Sequence, residues 1–137
     1  MKILEPAPAP WPDRALAILR IVSALVFISS GTMKVFNFPV GPYPMPPFNP
    51  FTEVGIAGLL EVVGGTAILL GLFTRPVAFV LSGEMAVAYF QGHAGLSFYP
   101  TINNGMPAIL FCFLFLYLAV AGGGVWSLDR ILTRRGG

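Results

Sequence analysis

Apolar positions gather in four runs along this chain, at residues 15–36, 52–72, 76–91 and 106–125. Each comes close to the ~20 residues that a helix needs to cross a bilayer. Asp13 follows Pro12 and reads as the N-cap of the first helix. Trp11 is placed as an interfacial anchor. The first helix is predicted to stop where prolines begin, at Pro39. Residues 39–50 read PVGPYPMPPFNP. Six prolines remove donors and block helix, so an irregular or extended loop is expected.

The second run carries Gly58 and Gly65, and Gly64 and Gly71, each pair seven residues apart. Small residues so placed let helices approach closely in lipid. Phe73–Pro76 makes a tight connection, and Pro76 suits the first turn of the third helix. The third run is the shortest of the four. Residues 92–104 form a polar and aromatic loop. The fourth run ends in Gly122-Gly123-Gly124. Ser127 is placed to cap a short tail helix over residues 128–133. The predicted architecture is all-α: a single transmembrane four-helix bundle spanning residues 1–137.

Composition agrees with the pattern. Of 137 residues, 55% are hydrophobic and 10% charged, with mean hydropathy +0.78. A soluble domain carries about 25% charged residues. A soluble monomer, a disordered chain and a nucleic-acid binder are thereby excluded. The start, MKILEPAPAPWP, lacks the long apolar core and small-residue cleavage site of a signal peptide. It is expected to remain as a Pro/Ala-rich arm. The single cysteine, Cys112, rules out an internal disulfide or dithiol pair. It reads as a small core residue.

Charge sets the expected orientation. Four spans place both termini and the Phe73–Pro76 turn on one side, with Lys2, Arg14, Arg75, Arg130, Arg134 and Arg135. The other side holds Lys34 and His93. The termini are therefore expected on the cytoplasmic side of the membrane. Arg75 and the cluster Arg130, Arg134 and Arg135 read as topology signals and lipid-headgroup contacts.

The informative residues are the ionisable ones inside the spans: Arg20, Lys34, Glu61 and Glu84. Such groups are costly in hydrocarbon and need a reason. Arg20, Ser23, Phe27, Gly31 and Lys34 share one helix face. Its two cations lie about 21 Å apart. Glu61 lies roughly 13 Å down the second helix, and Glu84 roughly 12 Å below the end of the third, so the carboxylates share a depth. The four are expected to converge on one polar centre. One reading is a structural ion-pair network that fixes helix register. The other is a proton-handling or ligand-binding centre. His93, alone, offers at most one axial ligand and reads as a polar loop residue. Phe111, Phe113, Phe115 and Tyr117 are expected to face lipid or a neighbouring subunit. No metal-ligand spacing, catalytic triad or nucleotide motif appears.

The order of several short motifs resembles the DoxX family of small four-helix membrane proteins. These are Arg20-Ile21 with Gly31 and Lys34, Glu61-Val62-Val63-Gly64-Gly65 with Leu69 and Gly71, and Thr74-Arg75. Met85 and Ala88, Phe98 with Asn103 and Gly105, and Ser127-Leu128-Asp129 complete the set. Where the family often has an acidic residue after Asn-x-Gly, this chain has Met106-Pro107. The resemblance implies a four-helix bundle associated with membrane redox systems, as in quinol oxidase or thiosulfate:quinone oxidoreductase assemblies or anchors of oxidative-stress complexes.

Three functions follow as expectations. The first is an accessory, non-catalytic subunit of a larger membrane complex of redox type, with other membrane subunits and the lipid bilayer as partners. The second is a quinone-interacting subunit, with Glu61, Glu84, Arg20 and Lys34 serving the headgroup beneath Phe27 and Tyr89. A small transporter or lipid-handling protein built on the same centre is a third. No cofactor is assigned; a quinone or a lipid is the ligand that such a centre would take.

Overall fold

Where the apolar runs lie, the chain is helical. A computed structural model describes residues 2–136. After a short 3-10 turn, Lys2–Leu4, five α-helices follow: α1 (Trp11–Phe36), α2 (Glu53–Leu70), α3 (Thr74–Gly92), α4 (Met106–Ala121) and α5 (Leu128–Arg135). The first four form the bundle. α1 and α2 are long and apolar enough to cross a bilayer, and α4 is a shorter apolar helix.

Local chemistry sets the boundaries. α1 starts at Trp11, so Asp13 is not its N-cap; Pro10 occupies that place without a side-chain bond. Pro12 in the first turn costs nothing there, because its missing N–H would be unpaired anyway. α1 ends at Asn37, whose left-handed backbone (φ 52°) turns the amide back to the Thr32 carbonyl. Thr52 caps α2, its hydroxyl accepting from the Gly55 amide at 3.1 Å. α2 closes on Gly71, at φ 66°, a conformation that suits glycine. α3 has 19 residues and α4 has 16, so α4 and not α3 is the shortest member. It stops at Ala121, short of the expected residue 125, because Gly122 leaves the helical backbone at φ 80°. Ser127 caps α5 as the sequence predicts.

α1 and α2 pack through small residues. A Cβ on Gly31 would lie 2.8 Å from the Glu61 Cβ and the Val62 nitrogen. One on Gly58 would lie 2.9 Å from the Lys34 Cβ. The two glycine rows of α2 serve different neighbours: Gly58 and Gly65 face α1, whereas Gly64 meets Leu81 of α3. Aromatic rings join α1 to α4. Phe27 meets Phe115 edge-on at 4.8 Å and Phe111 at 5.3 Å. Ala24, Ile68, Ala78, Leu81, Met85 and Leu118 complete the core. Phe115 is fully buried and Phe111 half-buried, while Phe113 and Tyr117 are exposed. The expectation that all four face outward fails for the first pair. Residues four apart share a helix face, and 111 and 115 share the one facing Phe27.

The tail helix fastens one end of the bundle. The Asp129 carboxylate accepts from the Phe73 and Thr74 amides at 2.7 and 2.8 Å, satisfying the start of α3. The Asp129 amide donates to the Gly71 carbonyl. Arg130 pairs with Asp13 at 2.7 Å. The starts of α1 and α3 and the whole of α5 thus lie together at this tail end. The proline-rich loop and residues 93–105 lie at the other, the proline-loop end.

The α1–α2 seam makes a direct prediction. Gly31→Leu should destabilise the bundle by roughly 1–3 kcal/mol through overpacking. Gly83→Ala, at a site with no neighbour within 4 Å, should be neutral. Thermal unfolding in detergent compares the two.

Candidate functional site

The closest charge contact sits near the proline-loop end. Lys34, in the last turn of α1, reaches across the seam to Glu61 of α2. Its Nζ donates to Glu61 Oε1 and Oε2 at 2.5 and 2.6 Å, and to Ser30 Oγ at 3.0 Å. All three ammonium protons are thereby used. The Glu61 side chain is 2% exposed and that of Lys34 24%. The pair depends on Gly31 and Gly58, which let the helices close. Lys34 also lies at the negative end of the α1 dipole.

Glu84 of α3 faces the same region. Both its carboxylate oxygens are buried and neither has a hydrogen-bond partner. Glu61 and Lys34 are the charges that act on it. A buried polar group left without a partner is costly, and more so where no water is at hand. Beneath the proline-rich loop lies a cavity of about 210 Å³. Pro46, Pro47, Phe48 and Val54 line it, and Lys34 lies on its wall.

Arg20 belongs elsewhere. Its guanidinium is fully buried toward the tail end and binds only carbonyls. Nε donates to Gly123 at 2.9 Å, and Nη1 to Ile68 and Leu69 at 2.9 and 2.8 Å. Nη2 donates to Trp126 at 2.8 Å, with Val125 at 3.4 Å. Arg20 thus satisfies the carbonyls at the end of α2 and pins the strand that leaves α4. The expectation of one centre holding all four charges is corrected here. The orphan carbonyls of a helix C-terminus compete for a cation, and they win this one.

Several other polar side chains have structural partners, although the buried Thr74 hydroxyl has none. His93 Nδ1 lies 2.8 Å from the Asn103 carbonyl, and its ring stacks on Tyr89. Asn103 is buried; it donates to Ser97 and Tyr89 and accepts from the Gly105 amide. Ser82 donates to the Cys112 carbonyl, next to the thiol. No group of three or more metal-ligating side chains comes together among the described residues. Asn103 and Asp129 escape sequence reasoning as organisers, because their partners are backbone atoms.

Residues 15–94 match the DoxX family. This chain belongs to the DoxX family. The matched segment holds α1–α3 up to the start of the His93 loop, and with them Arg20, Lys34, Glu61 and Glu84. Among its relatives is a Haemophilus influenzae protein described as uncharacterized, 45% identical over 84% of this chain and 88% of the relative. The Escherichia coli inner membrane protein YqjF is 29% identical over 90% of this chain and 95% of its own. An uncharacterized membrane protein of Mycobacterium tuberculosis is 29% identical over 98% and 96%. No solved structure matches. This DoxX protein is a helical bundle of the bacterial inner membrane, as its relatives' names and its apolar helices agree.

The two charged positions of this DoxX protein should respond differently to substitution. Lys34→Met leaves Glu61 buried and unpaired and should cost about 3 kcal/mol. Adding Glu61→Leu should recover most of that loss. Arg20→Lys should also destabilise, because one ammonium cannot span carbonyls on two sides. Unfolding in detergent checks all three, with a double-mutant cycle for Lys34 and Glu61 and a direct comparison with wild type for Arg20→Lys.

Proposed function

We propose that this DoxX protein is an accessory subunit of a larger inner-membrane assembly of redox type, to which it contributes an ionisable site near its proline-loop end. The observation that carries this reading is Glu84. Its two buried oxygens are unanswered within the chain, although the neighbouring Lys34–Glu61 pair is complete. Such a carboxyl is answered by a proton. A protonable group held inside the bundle is what this subunit would contribute to the assembly. The Arg20 and Asp129 contacts fix the opposite end, so the bundle is a firm support for it. The Lys and Arg residues of the tail end support a cytoplasmic side for that end.

The cavity beside Lys34 favours a second reading, a quinone-interacting subunit. A flat, mostly apolar ring suits a lining of Pro46, Pro47, Phe48 and Val54. Lys34 spends all its donors on Glu61 and Ser30, so Asn49 and Thr52, the other polar residues of the lining, would face a quinone carbonyl. Arg20 has no part in this reading, since its guanidinium is committed to carbonyls.

Purification in mild detergent tests both readings. The first predicts stoichiometric co-purification with other membrane subunits and a native mass far above 14.7 kDa. The second predicts quinone in the extract, lost in Val54→Trp, which fills the cavity. A lone chain or homo-oligomer carrying no quinone would contradict both.

A further inference from the structure

A different feature lies at the tail end, away from Lys34, Glu61 and Glu84. An apolar groove of about 440 Å³ runs along the first two turns of α1. Trp11, Ala15 and Ile18 form one wall and Trp126 stands against them. From Trp11 to Ile18 the helix rises roughly 10 Å. Both tryptophans are more than half exposed, at 59% and 63%. Trp126 holds a left-handed backbone (φ 56°), unusual for a bulky residue. The Arg20 guanidinium secures that conformation by binding the Trp126 carbonyl, which fixes where the indole starts.

Arg14 lies at the groove and is exposed. Its guanidinium sits 5.3 Å from the centre of the Trp11 ring. It has no acidic partner among the described residues; the neighbouring Asp13 is taken by Arg130. Glu5, on the arm, makes no ion pair among the described residues. A cation without a counterion therefore borders an apolar channel between two indoles. Trp and Arg are the residues that settle at the level of lipid headgroups.

We propose that this groove is a binding site for an anionic phospholipid, with an acyl chain between Trp11 and Trp126 and the phosphate on Arg14. Charge complementarity selects the occupant. A zwitterionic lipid offers the same chain but carries its own cation beside the phosphate. The site is independent of the function proposed above.

The test is lipid retention by the detergent-solubilised full chain, delipidated and reloaded with phosphatidylglycerol or phosphatidylcholine and weighed by native mass spectrometry. Phosphatidylglycerol should be retained about fivefold better, the worth of one cation near an anionic headgroup. Arg14→Gln should abolish that preference and Arg14→Lys should keep it. The pair Arg134→Gln and Arg135→Gln, on the exposed tail, should also keep it. Gel filtration confirms that each variant is folded, and the conservative lysine variant keeps the test valid if glutamine is poorly tolerated. Equal retention of both lipids, a preference that survives Arg14→Gln, or one lost with the tail arginines would overturn the proposal.

Discussion

A bilayer interior supplies no water, so every charge inside it has to be answered by the chain or by something bound to the chain. In this protein that constraint shapes both ends of the bundle. At the tail end Arg20 is answered by backbone. Its donors reach the last carbonyls of α2 and the strand after α4. α1, α2 and the exit of α4 are thereby tied to one rigid group. The contacts also explain how a run of three glycines and a strained tryptophan hold a single path.

Toward the other end a cation is answered by a carboxylate. Lys34 and Glu61 meet because Gly31 and Gly58 carry no side chain, and a Cβ on either would press the partner helix away. Packing and electrostatics are one feature here, since the glycine seam supplies the distance at which the ion pair works. Glu84 stands apart from this closure. Its oxygens are buried like those of a paired carboxylate but have no partner. That imbalance sets the proposed site apart from a purely structural network. The Arg20 cluster, with every donor engaged, is the structural counterpart in the same molecule.

The architecture was legible in the sequence because immersion in lipid leaves a coarse signal: long apolar runs, proline at the exits, cations on one side. Ser127 as a cap and the inward face Arg20–Ser23–Phe27–Gly31 were legible for similar reasons, being short-range chemistry or simple periodicity. The partner of Arg20 was not. Residue types reveal acids, whereas carbonyls occur at every position, so charge was matched to charge and Arg20 was expected beside the glutamates. Asp129 and Asn103 stand out in the sequence only as pieces of the family resemblance, because their partners too are largely backbone atoms. The aromatics of α4 misled by sequence spacing: positions two apart look alternating in print but wrap around a helix, and only Phe111 and Phe115 turn inward to Phe27. The length of α4 depended on the backbone at Gly122, which composition does not reveal.

The central claim is that the ionisable residues of the spans turn inward, Lys34 to Glu61 and Arg20 to backbone carbonyls, and not to the lipid. Solid-state NMR on the full chain in bilayers tests it directly, with the lysine Nζ labelled with ¹⁵N and the glutamate Cδ with ¹³C. Only two lysines are present, Lys2 and Lys34, so their signals are separable. The account predicts strong dipolar dephasing of the Lys34 signal, corresponding to N···O contact within about 4 Å, and its loss in Glu61→Leu. A Lys34 signal without dephasing in the bilayer-embedded wild-type protein would contradict it.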